Sequence, residues 1–422
     1  MNESQEEGVK VRQSRRALRS LADAISENQW ILPVVGSVIG GILAFVMGRP
    51  GGPLDTGTWT ISAVEARSGL ISALSILFAG LSIVLALASV TTQNVVGRFS
   101  LRMLRIYLRD PWEKSVIAMF ALVATFILVE LYQLRFLPPD AFAPVGGILI
   151  GMLLLFMSGA TIIWYIAVLP RWFQVDYTAK RVRRMIINAA LAVEKEHQED
   201  PPPVGIFLER PADAISVLAH RSGYLTEVDA QGLLDLAVQY DAEYVIDIGI
   251  GRRIVRGEPI GWMVVGKNSP GELPSPDLVA DILDITEVRE LDRAVAYGII
   301  VLVDMAIMAL SPGINDPNTA VQVIEEMMFI FPELDRFQLG PFGRTDEEGR
   351  QRVAVQAFTY GDYLEMATNQ IVLYSGEDPA VIKALQHFVR VLEVLDLAEK
   401  DQKAVEKFAS KVQGLSNKHS MV

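Results

Sequence analysis

SGLISALSILFAGLSIVLALASVTTQNVVG, residues 68–97, is a run of 30 residues without Asp, Glu, Lys or Arg. About 20 apolar residues suffice for a helix to cross the hydrocarbon layer of a membrane. Charge is also absent from residues 29–48, from 141–170, and from 115–134 apart from Glu130. The sequence therefore predicts an α-helical membrane bundle of four transmembrane helices within residues 29–170.

The basic residues around these runs predict the orientation. Fifteen Lys and Arg lie in the first tail, in the loop between the second and third runs, and just after the fourth run. Only Arg49, Arg67 and Arg135 lie in the other two loops. Because basic loops stay in the cytoplasm, we expect a multi-pass protein with its N- and C-termini cytoplasmic.

Composition excludes several classes of protein and of site. The chain has 422 residues, of which 51% are hydrophobic, and this excludes disorder. It has no cysteine and four histidines, so disulfides and cysteine-bound metals are excluded. Residues 171–422 carry 25 basic and 39 acidic side chains, which argues against a nucleic-acid partner. No nucleotide, metal or hydrolase motif occurs, and we predict no catalytic residue, metal or cofactor.

The second half of the chain predicts a mixed α+β cytoplasmic domain. Residues 251–260 have the form G-x-x-V-x-x-G-x-P-I, which resembles the turn–strand–turn of barrel-sandwich hybrid domains. The only nearby lysine, Lys267, is misplaced for a lipoyl or biotinyl carrier, so the resemblance implies a small barrel-sandwich-like β part without carrier function. Residues 278–292 predict a helix, and 294–310 predict a buried core helix rather than a fifth span, because Asp304 falls within the run.

These signals divide the chain into six segments. They are a basic cytoplasmic tail at 1–28, the membrane domain at 29–170, a basic connecting helix and linker at 171–203, a β-rich subdomain at 204–275, a helical or α+β subdomain at 276–400, and a polar tail at 401–422 that we expect to fray.

The first candidate site is a row of arginines after the second span. Arg98, Arg102, Arg105 and Arg109 are spaced by four, three and four residues, so on one continuous helix they share a face. One interpretation is an interfacial helix that binds anionic lipid headgroups. The other is a basic ring at the cytoplasmic mouth of an oligomeric pore, which would favour anions.

The second candidate is Glu130, the only ionisable residue within a span. Acids inside a membrane are costly and often functional. Its position near the outer end of the third span instead favours a structural carboxylate that snorkels to the interface or pairs with an arginine, and Arg67 is the expected partner on that side.

The third candidate is the string SPGINDPNTA at residues 311–320. Pro312 and Gly313 end one helix, and Asp316 before Pro317 is typical of an N-cap for the next. The alternatives are a ligand site at that helix N-terminus, or a catalytic use of Asn315 and Asp316, with Asp304 as a further candidate.

This string, together with SGYL at 222–225, the 251–260 segment and LDR at 291–293, resembles the bacterial family called domain of unknown function 2254. The resemblance covers about residues 25–400. It implies a bacterial inner-membrane protein with this topology and domain order, and it implies no reaction.

Three functions remain open at this stage. The first is a homo-oligomeric channel or transport protein with a regulatory cytoplasmic domain, and Gly36-x-x-x-Gly40 and Gly147-x-x-x-Gly151 fit its closely packed helices. The second is a non-conducting membrane sensor or scaffold, and the third is a membrane-anchored enzyme. The expected partners are the lipid bilayer, its anionic headgroups and further copies of the chain.

Overall fold

A computed structural model describes residue 28, residues 30–48, 61–108, 111–138, 141–197 and 210–266, residue 279, and residues 282–286, 295–376 and 378–419. The chain forms two compact units, the membrane unit Met1–Gln174 and the second unit Val175–Val422. The predicted tail before residue 28, the linker at 198–203 and Arg109 lie outside the described residues.

The described part of the membrane unit is helical. Its helices are α1 (Ile31–Met47), α2 (Ala63–Arg98), α3 (Leu101–Leu108), α4 (Pro111–Leu134) and α5 (Val145–Val168), followed by a 3₁₀ turn at Leu169–Phe173. Three apolar stretches in α2, α4 and α5 are long enough to cross a membrane, namely Ala63–Gly97, Lys114–Leu134 and Val145–Phe173. The 17-residue α1, within the first predicted span, is a shorter apolar helix.

Helix α1 packs parallel to α4 through small residues. Gly36 lies against the carbonyl oxygen of Ala118, and Gly40 lies against that of Leu122. Both pairs advance by four residues in the same direction, so the two helices are parallel. A Cβ at Gly36 would lie 2.5 Å from the Ala118 oxygen, so only glycine permits this approach.

The centre of the membrane unit is filled by large apolar side chains. Buried residues of α4 meet Leu77 and Val84 of α2 and Ile148 and Leu154 of α5 in one cluster. The α4 residues that are at most 2% exposed include Phe120, Val123, Phe126 and Ile127. A single copy of this bundle therefore has a packed core.

The helix predicted across residues 98–109 is broken, which corrects the expectation that its arginines share one face. Helix α2 ends at Arg98, and the hydroxyl oxygen of Ser100 accepts a hydrogen bond from the Met103 amide, 3.1 Å away, at the start of α3. Phe99 and Ser100 are buried, and Tyr107 of α3 packs edge-on against Trp172 at 5.0 Å. Burial of these aromatic rings accompanies the break and the redirection of the chain into α3.

The second unit contains two sheets around one core. A five-stranded sheet has the order β1 (Ile215–Leu218), β5 (Pro259–Val265), β3 (Ala242–Ile246), β8 (Gln351–Val355) and β7 (Phe342–Thr345), and only its β3–β8 pair is parallel. A three-stranded antiparallel sheet has the order β4 (Arg253–Ile254), β2 (Gly223–Val228) and β6 (Leu283–Thr286). Helix α7 (Ala230–Gln239) completes their common core.

These sheets correct two predictions. Residues 283–286 form a strand rather than part of a helix, because Leu283 and Ile285 point into the core while Asp284 is exposed, a two-residue period. The predicted division at residue 275 does not hold either, because β6, β7 and β8 of the predicted α+β segment 276–400 join the two sheets of the β-rich segment. The second unit is thus a mixed α/β domain, and its parallel strand pair and α7 depart from the barrel-sandwich-like part that the sequence predicts.

Six described helices form the remainder of the second unit: α6 (Val175–His197), α8 (Val295–Leu310), α9 (Pro317–Leu334), α10 (Tyr360–Tyr374), α11 (Pro379–Glu393) and α12 (Glu399–His419). Helix α8 is largely buried and contacts α6, α9 and α10, so it is a core helix, as the sequence predicts.

The C-terminal segment is an ordered helix, which corrects the expected fraying of residues 401–422 up to His419. Val405, Phe408 and Val412 are at most 5% exposed, and they lie on one face because they are three and four residues apart. This face contacts α10 and α11. The polar composition of the segment reflects its other, solvent-exposed face.

Candidate functional site

The outward face of α2 carries a continuous row of small residues, which we call the serine face. Its members are spaced alternately by four and three residues, and all are exposed in the single chain. They are Ser68, Ser72, Ser75, Ala79, Ser82, Ala86, Ser89 and Gln93. Larger apolar side chains flank the row, with Ile76 and Ile83 on one side and Phe78 and Leu85 on the other.

The hydroxyls of this face are oriented by the helix itself. Ser75 Oγ donates to the carbonyl oxygen of Ile71 at 3.0 Å, and Ser82 Oγ donates to that of Phe78 at 2.9 Å. Each hydroxyl oxygen keeps lone pairs that can accept a hydrogen bond from water or from another chain. The face therefore offers polar atoms at membrane depth with little side-chain bulk.

The predicted arginine row is divided between two helices. Arg98 is the last residue of α2, whereas Arg102 and Arg105 lie on α3, with both side chains exposed. Arg109 lies outside the described residues. The opposite face of α3, formed by Met103, Ile106 and Tyr107, is buried. Helix α3 is thus amphipathic, with basic side chains on its exposed face.

The predicted ion pair between Glu130 and Arg67 is not formed. The guanidinium of Arg67 donates to the carbonyl oxygens of Leu134 and Leu137, the latter at 2.9 Å from Nη2. These carbonyls lie at the end of α4 and just beyond it, where backbone oxygens lack partners within the helix. Arg67 therefore ties the start of α2 to the end of α4, and it does so without Glu130.

The Glu130 carboxyl is enclosed between two glycines. Glu130 is 2% exposed, and within the described residues its Oε1 accepts no hydrogen bond. A Cβ at Gly48, which follows α1, or at Gly147, in the first turn of α5, would collide with the carboxyl oxygens. We call Gly48, Glu130 and Gly147 the glycine cradle.

The corner at residues 311–318 is held by its own hydrogen bonds. Asp316 is the N-cap of α9: Oδ1 accepts from the Thr319 amide at 3.2 Å, and Oδ2 accepts from the Thr319 hydroxyl at 2.7 Å. Asn315 has φ +48°, and its backbone N–H donates to the Ser311 carbonyl oxygen at 2.9 Å. Asp304 lies within α8, roughly 9 Å along the helix axis before its end. This geometry accounts for the corner as a structural cap.

A pocket in the second unit offers a different candidate. It has a volume of about 270 Å³, and its lining includes Asp335, Tyr360, Lys400 and Asp401. Burial raises the pKa of Asp335, and the nearby carboxylates of Asp396 and Asp401 raise it further. In the parts of the chain that the structure describes, no group of three His, Cys, Asp or Glu could hold a metal ion.

Comparison with known proteins assigns the family. A family model described as a predicted membrane protein, DUF2254, matches residues 26–390. The chain belongs to this family. Its relatives include uncharacterized proteins of Mycobacterium bovis and Mycobacterium tuberculosis, each 27% identical over 375 residues, with 87% of this chain and 72% of the relative covered. No solved structure matches the chain.

Two features of this DUF2254 protein were missed in the sequence. The serine face could have been found from the alternating four- and three-residue spacing within the uncharged run 68–97, because that repeat marks one side of a helix. The glycine cradle could not have been found, since Gly48, Glu130 and Gly147 lie in three segments that only tertiary packing brings together.

Proposed function

We propose that this DUF2254 protein is a multi-pass protein of the bacterial inner membrane that assembles into a homo-oligomeric channel around the serine face. The second unit is then its cytoplasmic regulatory domain, and the protein has no catalytic activity of its own. The serine face is the observation that carries the proposal, because it places five hydroxyls and one amide on the outside of a membrane-spanning helix.

Two physical arguments favour assembly at this face. Small residues let membrane helices approach closely, and hydroxyls gain hydrogen bonds from a neighbouring chain or from water that lipid cannot provide. A row that repeats every 3.5 residues stays in contact along a left-handed supercoil of helices. Because one copy fills its own centre with apolar side chains, a water path requires several copies around an axis.

The proposed topology has four spans, with α1 as the first. Helix α1 runs parallel to α4, as two spans that leave the cytoplasm must. The Ala63 backbone amide, at the start of α2, donates to the Ala141 carbonyl, just before α5, at 2.9 Å. Helices α2 and α5 therefore begin on the same side, as two spans that return to the cytoplasm must. The excess of basic residues, fifteen against three, supports placing both termini in the cytoplasm.

The exposed arginines of α3 would act at the cytoplasmic end of such a channel. Helix α3 follows α2 after two residues, so Arg102 and Arg105 of each copy would surround the inner mouth. A ring of arginines favours anions. In a non-conducting protein, the same side chains would instead bind anionic lipid headgroups.

Single-cysteine variants test the assembly directly, because the natural chain contains no cysteine. Ser75→Cys and Ser82→Cys should form disulfide-linked dimers in oxidised membranes, and a water-soluble thiol reagent should label both. Ile163→Cys, on α5 and 73% exposed, is the matched control that should face lipid and do neither. Equal cross-linking of all three variants, or of none, would contradict assembly at the serine face.

Conduction is tested with the purified protein in planar bilayers. We expect an anion-selective current, and the double variant Arg102→Glu with Arg105→Glu should shift its selectivity toward cations. Cross-linking at Ser75→Cys without any current, under voltage or tension, would support the oligomer but contradict the channel.

Topology is tested separately with terminal tags, which should be cut by protease only from the cytoplasmic side.

The pocket favours a second candidate, a non-conducting sensor. Carboxylates beside the Lys400 ammonium and the Tyr360 ring suit a small polar ligand with a cationic group. Under this alternative, Asp335→Asn should weaken binding of organic ammonium compounds by the full-length protein. Identical thermal shifts for the variant and the natural chain across such compounds would exclude the pocket as their site.

A further inference from the structure

The glycine cradle is a place where three membrane helices close on one carboxyl group. Gly48 adjoins α1, Glu130 lies on α4, and Gly147 lies in the first turn of α5. Both glycines are buried, and a Cβ on either would overlap the carboxyl oxygens. The packing of two helices against a third is thus adjusted to this side chain.

Among the described residues, the surroundings of the carboxyl offer no set of ligands for a metal ion. A hard cation needs several oxygen ligands, commonly six or more. The nearby polar side chains are engaged elsewhere: Gln133 donates to the Ala44 carbonyl at 3.1 Å, and Arg67 donates to the carbonyls of Leu134 and Leu137. Both glycines lie so close to the carboxyl oxygens that neither position has room for a Cβ. The carboxyl can bind a proton without any expansion of the cradle.

Few charged side chains lie on the described parts of the helices around the carboxyl. The described part of α1 has no titratable residue, and α5 has only Tyr165, roughly 27 Å along the helix from Gly147. On α2, Glu65 is exposed and Arg67 is bound to backbone oxygens. The helix dipole makes the start of α5 favourable for a nearby negative charge and the end of α1 unfavourable. The effects of these two helix ends on the carboxylate therefore oppose each other. Burial, with no hydrogen-bond partner for Oε1 among the described residues, then favours the neutral acid.

We propose that Glu130 is a reversible proton-binding site that controls the packing of α1 and α5 against α4. On binding, a hydronium ion transfers a proton to a carboxylate oxygen: the new O–H bond forms, a water molecule is left, and the negative charge is lost. The neutral acid fits the closed cradle. On release to water, the carboxylate requires hydration, and the cradle must open to admit it.

The compartment that supplies the proton rests on the proposed topology. In that orientation Glu130 lies near the outer end of α4, so the site exchanges protons with the outside. The binding site itself rests only on the cradle. The proposed proton-binding site can therefore be confirmed or contradicted independently of whether the protein conducts.

Infrared difference spectroscopy of the full-length protein in lipid nanodiscs tests the site without requiring activity. Between about pH 5 and about pH 9, we expect the carbonyl band of a protonated carboxylic acid to disappear reversibly. Because the buried Glu326 and Asp335 can add bands of their own, the Glu130 band is the part of the difference spectrum that Glu130→Gln removes and that the matched control Glu65→Gln, which removes an exposed carboxyl of the same bundle, retains. An identical pH difference spectrum for Glu130→Gln and the natural chain would overturn the proposal.

Glycine variants test whether the cradle creates the site. Gly147→Ala should lower the thermal midpoint of the natural chain, and it should cost less in a Glu130→Ala background, where the colliding side chain is gone. Gly159→Ala, also on α5 but with no atom within 4 Å of the added Cβ, should be tolerated in both backgrounds. Equal losses from Gly147→Ala with and without the Glu130 side chain would show that the cradle does not enclose the carboxyl.

Discussion

Arg183 of α6 and Glu326 of α9 form an ion pair across two helices of the second unit, with Nε and Oε2 3.4 Å apart. The Glu326 side chain is only 8% exposed, and its Oε2 accepts no hydrogen bond among the described residues. The Arg183 guanidinium also lies 5.2 Å from the ring centre of Phe329, one turn further along α9. Arg183 therefore joins α6 to α9 through charge and through an aromatic face.

This pair should make stability depend on pH. Burial raises the pKa of Glu326, and the charges of Arg183 and Lys180 only partly offset that effect. Because the folded state then holds its proton to higher pH than the unfolded chain, stability should fall as pH rises through the raised pKa. Thermal unfolding of the full-length protein across pH measures the decline. Glu326→Gln should flatten it and Arg183→Ala should enlarge it. Glu325→Gln at the exposed neighbour removes only the smallest of the charges that raise this pKa, so it should reduce the decline least.

Arg352 should be the most costly single charge to remove from the second unit. It is 7% exposed and pairs with Asp241 at 3.0 Å and with Asp346 at 2.9 Å. Without it, both carboxylates lose a buried ion pair, although Asp346 keeps its pairing with Arg350, so we expect Arg352→Ala to cost about 3 kcal/mol of unfolding free energy. Arg352→Lys keeps the charge but not the fork of donors, and it should recover only part of the loss. A calorimetric cost below that of an exposed arginine such as Arg256 would contradict this.

Asp346, one of the two partners of Arg352, should make stability depend on pH with a sign opposite to that of Glu326. Burial tends to raise the pKa of Asp346, but hydrogen bonds from Arg352 and from the backbone of Arg350 outweigh it and hold the pKa below its usual range. Stability from this group is therefore present above the ordinary pKa and is lost as pH falls through the lowered one. Asp346→Asn should remove that acidic decline while leaving the decline due to Glu326 intact.

The cap of α9 should be worth about 1 kcal/mol. Asp316→Ala removes both acceptors that Thr319 uses and should lower the thermal midpoint accordingly. Asp316→Asn retains a capping oxygen and should be nearly neutral. If Asp316→Asn kept full stability but abolished channel current or ligand binding, Asp316 would have a role beyond the cap.

Local signals in the sequence were sufficient for most elements of the fold. The uncharged runs gave the three long membrane helices, and Asp316 before Pro317 marked the start of α9. Predictions failed where distant segments decide the structure. Residues 283–286 become a strand because β2 offers them an edge, and residues 399–419 remain helical because α10 and α11 cover their apolar face. The predicted pairing of Arg67 with Glu130 was wrong for the same reason, since backbone oxygens that accept its hydrogen bonds cannot be recognised in the sequence.

The closest helix contact in the membrane unit gives the last prediction. Gly40 faces the Leu122 carbonyl so closely that an added Cβ would overlap it, whereas a Cβ on the adjacent Gly41 would lie 3.7 Å from Thr125 Cγ2, an ordinary contact. In an open site, glycine to alanine in a helix gains up to about 1 kcal/mol through helix propensity. Gly41→Ala should therefore be neutral or stabilising, and Gly40→Ala should force α1 away from α4.

The two variants differ by one position and carry the same chemical change, so each controls for the other. We expect Gly40→Ala to lower the thermal midpoint of the purified protein and Gly41→Ala to keep or raise it. Gly36→Ala, one turn before Gly40 on the same face, should behave like Gly40→Ala because it meets the Ala118 carbonyl. If all three variants unfolded at the same temperature, α1 would not pack on α4 through its glycines, and its place as the first span of the bundle would lose its structural support.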